Sequence, residues 1–249
     1  MSRFFISTIA PDAAEAARKH GLGLEIAEYC TAWNMDEQLP ETDAAVRQKL
    51  EGVGKRVLHG PFNELFPCAI DPKARALAAE RYRQAIALAV GYGAEKVIIH
   101  GGYNPRIYYP IWYVEQSIGF WKAFLADAPN VTIVLENVLE ETPEMLLDIV
   151  RGVDHPQLKL CLDVGHVNAY SEIPVMDWLT RWAPYLSHFH IHNNDGSRDS
   201  HCPLDQGTIP MKELLNKAMA LCPDATFTLD VMEAQPSVKW LEENLWNLQ

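Results

Sequence analysis

Short apolar runs of four to six residues recur along the chain, at residues 4–8, 23–27, 56–59, 96–100, 131–136, 158–163, 186–190 and 226–230. Between them the apolar positions switch to helical spacing. Residues 72–90 carry Ala, Leu and Ile on one side and Glu and Arg on the other, and Gly91-Tyr92-Gly93 ends that pattern. Thr142-Pro143-Glu144 opens another helix with a capping threonine, a proline in the first turn and an early acid. Strand-length runs alternating with helical stretches predict a parallel sheet covered by helices, and eight of them close a (β/α)8 TIM barrel. The length of 249 residues matches one such barrel, so a single domain over residues 1–249 is expected.

One stretch departs from the alternation. Residues 103–113, Tyr-Asn-Pro-Arg-Ile-Tyr-Tyr-Pro-Ile-Trp-Tyr, crowd aromatics after the fourth run, and Phe120 and Trp121 follow. Such a patch serves either as a pocket wall over the barrel mouth or as a packed surface where two copies pair as a homodimer.

A hydrophobic content of 48% supports a full core, and a formal net charge of −12 opposes attraction to nucleic acid or anionic membrane. No apolar run approaches the ~18 residues of a membrane span, and the opening Met1-Ser2-Arg3-Phe4-Phe5-Ile6-Ser7 does not read as a signal peptide. A cytoplasmic location is expected. The five cysteines form no CxxC pair, which argues against a disulfide framework or a thiolate zinc site.

Barrel enzymes build their active sites at the C-terminal ends of the strands, and here six of those ends carry metal-ligand chemistry. The third run ends at His59, the fourth at His100, the fifth at Glu136, and the sixth at Asp163 with His166 three residues on. The seventh gives His188, His190 and His192, followed by Asp199 and His201, and the eighth closes at Asp230. His188, His190 and His192 alternate and so face one side of a regular strand, with His188 deepest and His192 left as a supporting or substrate contact. Burying so many imidazoles and carboxylates on one rim is costly without cations. Mixed nitrogen and oxygen ligands without cysteine suit zinc, manganese or cobalt better than calcium or magnesium.

In this order, His59-Gly60-Pro61, Ile99-His100-Gly101-Gly102, Leu135-Glu136-Asn137, Asp163-Val164-Gly165-His166, His190-Ile191-His192-Asn193, Asp199-Ser200-His201 and Leu229-Asp230 resemble the xylose isomerase-like barrel superfamily. That superfamily includes sugar isomerases and epimerases as well as the zinc apurinic-site endonucleases. The resemblance implies that Glu136, Asp163, His190 and Asp230 hold the single metal of an epimerase site. It further implies that His59, His100, His166, Asp199 and His201 complete the set that lets the endonuclease branch hold three zincs. One to three divalent cations per chain are therefore expected.

The resemblance implies an isomerase or epimerase of a small sugar or sugar phosphate, working through a metal-stabilised enediolate, with Glu136 and Asp230 moving the proton and His166 binding substrate oxygens. The alternative it implies is a zinc phosphodiester hydrolase; beyond both stands a non-catalytic metal- or sugar-binding barrel. Glu28, Trp33, His192, Arg106 and Arg198 are the expected substrate contacts, the two arginines as partners for a phosphate or carboxylate. Glu28 serves equally well as a cap or ion-pair partner at the end of the second run. Three positions depart from the family pattern: Asp230 stands where Glu is usual, Asn193 where Asp is common, and Leu204-Asp205-Gln206-Gly207 where a glycine follows the Asp-x-His segment.

Overall fold

The computed structural model describes residues 3–127 and 131–246. Its strands are β1 (Phe4–Ser7), β2 (Gly23–Ile26), β3 (Arg56–His59), β4 (Lys96–His100), β5 (Thr132–Glu136), β6 (Leu158–Asp163), β7 (Leu186–Ile191) and β8 (Thr226–Leu229). The helices on the outside are α1 (Ala13–His20), α2 (Ala32–Met35), α3 (Leu39–Leu50), α4 (Pro72–Tyr92), α5 (Pro110–Phe124), α6 (Pro143–Val153), α7 (Val164–Tyr170), α8 (Val175–Trp182), α9 (Met211–Leu221) and α10 (Ala234–Leu241). All eight strands pair in parallel in chain order, and β8 closes on β1 through Phe4, Phe5 and Ile6 against Phe227, Thr228 and Leu229. This is a (β/α)8 TIM barrel.

The two-residue period of a strand sorts each run into outward and inward positions. Outward residues such as Ile6, Leu24, Leu58, Ile99, Leu135, Leu162 and Phe189 join the helices in one large apolar core. Phe5, Val57, Ile98, Val134 and Cys161 form a separate apolar cluster, the plug of the barrel interior. Next along the strands come the ligand-type residues. The floor of the site is thus hydrocarbon around Phe5, Val57, Ile98, Val134 and Cys161 and polar on the side of Glu25, His188 and Thr228, and its rim is polar, an arrangement set by which residue of each strand falls on an inward position.

Helix ends follow local chemistry. Asp71 accepts the Lys73 N–H at 2.7 Å and starts α4, which runs two residues past the predicted stop because Gly93, at φ 67°, supplies the left-handed cap. Thr142 stands at the start of α6, but its hydroxyl makes no capping bond. Its carbonyl accepts the Met145 N–H instead, and Pro143 has no N–H to satisfy.

The aromatic stretch turns most of its rings into the helical layer. Tyr103, Tyr108 and Tyr113 are buried, and the Trp112 Nε1–H donates to the Cys68 carbonyl at 2.9 Å. Ile107, Tyr109 and Ile111 stay exposed. Among the described residues, no helix is long and apolar enough to cross a membrane.

Candidate metal centre

Seven of the expected rim residues, His59, His100, Glu136, His166, Asp199, His201 and Asp230, line one cavity of 450 Å³ at the C-terminal ends of the strands. Asp163 and His190 lie beneath it, fully buried. Glu136 is the hub. Its Oε2 faces His59 Nε2 at 3.4 Å and His100 Nε2 at 3.6 Å, while its Oε1 faces His190 Nδ1 at 3.2 Å and His166 Nδ1 at 3.4 Å. Asp163 Oδ2 approaches His190 Nδ1 at 3.8 Å. On the other side Asp199 Oδ2 sits between His166 Nε2 at 3.3 Å and His201 Nε2 at 2.9 Å, and His201 Nδ1 faces Asp230 Oδ2 at 3.3 Å.

Backbone carbonyls decide which ring nitrogen is presented. His59 Nδ1 lies 2.9 Å from the Gly60 carbonyl, His166 Nδ1 2.8 Å from that of Asn137, and His201 Nδ1 2.7 Å from that of Asp230. With Nδ1 turned to a carbonyl, Nε2 of each ring faces the cluster, and it becomes a ligand once it loses its proton. His100 is steadied by its ring, stacked on Phe62 at 4.3 Å.

Two asparagines, neither of them an expected site residue, hold the frame. The Asn137 side chain accepts from the Asp163 N–H at 2.9 Å and donates to the Asp163 carbonyl at 3.0 Å, locking the end of β5 to that of β6. Asn193 donates to the carbonyls of Leu204 and Ile209 and accepts from the Ile209 N–H, so the loop around Leu204-Asp205-Gln206-Gly207 is anchored without the usual glycine. Asn in place of Asp supplies the donors that this requires.

Charge inside the site is balanced between rings and carboxylates. Burial opposes a proton on His166, but Asp163, Asp199 and Glu136 outweigh it and push its pKa up to about 10. Burial is likewise outweighed at His201, where Asp199 and Asp230 push the value up to about 12. At His100 burial wins, and the value falls to about 3. Asp230 is held down at about 2, against its burial, by His201 and His190.

The donor set fits a divalent cation. Ligand atoms of His59, His100 and Glu136 lie within 4.8 Å of one another, as do those of Glu136, Asp163 and His166, and those of His192, Asp199 and His201. Glu136 Oε2, His190 Nδ1 and Asp199 Oδ1 are buried without a hydrogen-bond partner. Left so, each costs free energy, and each belongs to a separate group of donors that a cation would satisfy.

The expected substrate contacts are placed differently. His192 is fully buried behind the rim, its ring stacked on His201 at 4.3 Å and its Nε2 3.1 Å from Asp163 Oδ1, so it braces those two residues and does not line the cavity. Glu28 accepts from Thr8 and Lys49, both at 2.7 Å, and serves as the ion-pair partner foreseen as its alternative. Trp33 is 53% exposed, over a separate groove with Pro61, Asn63 and Arg81, because the short helices after β2 carry it outward. Arg106 and Arg198 are exposed on loops and do not line the cavity. The wall is built instead by Ile9, Phe62, Val138, Leu139 and Tyr170, which follow the strand ends as ordinary apolar residues and carry no distinct sequence signal. Glu25, buried below the rim and bonded to His188, His190 and Thr228, is a further site residue that the strand-end pattern misses. Its one signal is a lone acid at an inward position of an apolar strand.

The chain as a whole is similar to known proteins. The family model described as "Xylose isomerase-like TIM barrel" matches residues 14–245. An uncharacterized protein of Methanocaldococcus jannaschii is 29% identical over 194 residues, 74% of this chain; the match spans 66% of that protein, just under two thirds of its length. Among solved structures, a Thermus thermophilus protein soaked with ZnCl2 superposes with a TM-score of 0.80 at 24% identity over 98% of both chains. A D-tagatose 3-epimerase-like protein gives 0.78 at 24% identity over 99% of this chain and 98% of its own. These two likenesses speak for the fold, and the family match spans nearly the whole barrel. The chain belongs to the xylose isomerase-like TIM barrel family.

Proposed function

We propose that the protein is a divalent-metal-dependent isomerase or epimerase of a small sugar. The observation that carries this reading is the convergence of Glu136 and Asp230 on one cavity of 450 Å³ above a set of cation donors. They end strands that are three apart around the barrel, β5 and β8, and so reach a bound molecule from different sides. The volume falls within the ~300–1,000 Å³ of small-molecule sites. The similar D-tagatose 3-epimerase-like protein agrees in fold with the same reading.

A bound divalent cation supplies Lewis-acid stabilisation of negative charge developing on the substrate oxygens. Glu136 and Asp230 take and return the carbon-bound proton, one from each side, a contribution of about 10²–10⁴-fold for well-placed groups. His166 and His201 present ring nitrogens to hydroxyls, and Phe62, Leu139 and Tyr170 cover the apolar face of a sugar and exclude water. The lining contains no Lys or Arg among the described residues, which favours an unphosphorylated sugar over a sugar phosphate. Exposed Ile107, Tyr109 and Ile111 form the surface on which pairing of two copies would rest.

One observation favours phosphodiester hydrolysis instead: further donors accompany Glu136, with His59 and His100 beside it and Asp199 bridging His166 and His201 across the cavity. About three zincs per chain would fit that reading, and about one cation fits the sugar reading. The Glu136→Ala variant tests both together. It is expected to lose bound metal and turnover of ketoses, followed by NMR of the sugar mixture, while keeping its fold; full activity in that variant sinks the site.

A further inference from the structure

His59, His166 and His201 are oriented by backbone carbonyls, whereas His190 is oriented by a buried carboxylate. Its Nε2 lies 3.0 Å from Glu25 Oε1 and 3.2 Å from Oε2, and its Nδ1 points to Glu136 and Asp163. Glu25 is fully buried in the middle of β2 and does not line the cavity. We infer that Glu25 is a positioning residue for the cation site, fixing His190 with Nδ1 free and strengthening it as a ligand through its negative charge.

The surroundings hold Glu25 as a terminal acceptor. Thr228 donates its hydroxyl to Glu25 Oε2 at 2.6 Å, and His188 Nε2 approaches the same oxygen at 3.3 Å. Behind His188, the Thr226 hydroxyl lies 2.6 Å from Nδ1, and Lys96 Nζ donates to that hydroxyl and to the Ser187 carbonyl, both at 2.7 Å. From Lys96 upward, each group can donate to the next, and the series ends on the carboxylate. No water is needed to complete it. Three donors, from Thr228, His188 and His190, converge on Oε2, while Oε1 faces His190 Nε2 alone, so the carboxylate is pinned through one oxygen and holds His190 against both. Outer partners of this kind typically change metal affinity by about 10–100-fold when removed.

The inference rests on the metal reading of the site and not on the identity of the substrate. The test is therefore made without sugar. Purified protein is stripped with a chelator, and Zn²⁺ affinity is measured by competition with a chromophoric chelator, alongside the visible spectrum of the Co²⁺-loaded protein. Glu25→Gln keeps the volume and removes the charge. A loss of Zn²⁺ affinity of about 10-fold or more and a shifted Co²⁺ band, with the circular dichroism of the wild type, is the expected result. A folded Glu25→Gln protein with wild-type affinity and spectrum overturns the inference. Should that variant not fold, Thr228→Val, which removes only the hydroxyl that pins Glu25, is read instead: weaker Zn²⁺ binding supports the inference and unchanged binding overturns it. Wild-type protein that takes up no cation overturns both this inference and the metal reading beneath it.

Discussion

A histidine offers two nitrogens, and at four of the rim histidines one is tied down so that the other can face the cluster. Carbonyls do this for His59, His166 and His201, and Glu25 does it for His190. The same tight arrangement explains Gly165. A Cβ there would lie 1.9 Å from His192 Cε1 and 2.5 Å from its Nδ1, and that ring cannot swing aside because it is stacked on His201 and bonded to Asp163. Gly165→Ala is expected to cost about 1–3 kcal/mol of stability by overpacking and to weaken cation binding through Asp163. Urea denaturation with and without Zn²⁺ measures both, and a variant as stable as the wild type would contradict the packing account. The ligand-type residues at strand ends are legible in the sequence through their conjunction: one such residue closing an apolar run is commonly structural, but six runs ending on one rim in His, Asp or Glu have few other uses. Glu25 is not, since its meaning depends on β7 and β8, distant in sequence and adjacent only once the barrel closes.

Strand runs declare themselves through apolar content, and each lies within about a residue of its observed bounds. Loops do not, because a loop's course depends on what it packs against. Residues 103–113 read as a possible pocket wall, yet their tyrosines find the helical layer while the wall comes from the loops after β1, β3 and β5 and from the end of α7. Trp33 and the two arginines lie off the cavity for the same reason: nearness in sequence to a strand end does not say which way the next turn carries a side chain. The small helices after β2 take Trp33 outward, and Arg106 and Arg198 sit on exposed turns. α6 shows that a cap can be read correctly in place and wrongly in chemistry, for Thr142 uses its carbonyl rather than its hydroxyl.

For the molecule as a whole, the proposed cation and the protons of the site compete for the same carboxylates. His166, pushed up to about 10, and His201, pushed up to about 12, both hold a proton at neutral pH. A cation among the neighbouring carboxylates would repel those protons, so binding is expected to release them, with affinity rising as pH rises through neutrality and falling in acid. Calorimetric titration with Zn²⁺ near neutrality, in two buffers of different ionisation enthalpy, is expected to show net proton release; binding without buffer dependence would contradict this charge balance. The net charge of −12 adds to the attraction for cations.

The central claim is that Glu136 and Asp230 move a carbon-bound proton of a sugar over a divalent cation. Incubating metal-loaded protein with unphosphorylated ketoses in deuterated water tests it most directly, with NMR detection of deuterium at the carbon next to the carbonyl. The account predicts incorporation by the wild type, lost in Asp230→Ala and in protein stripped of metal. Folded, metal-loaded protein that exchanges no proton on any ketose of the panel, while cleaving a phosphodiester, would contradict it.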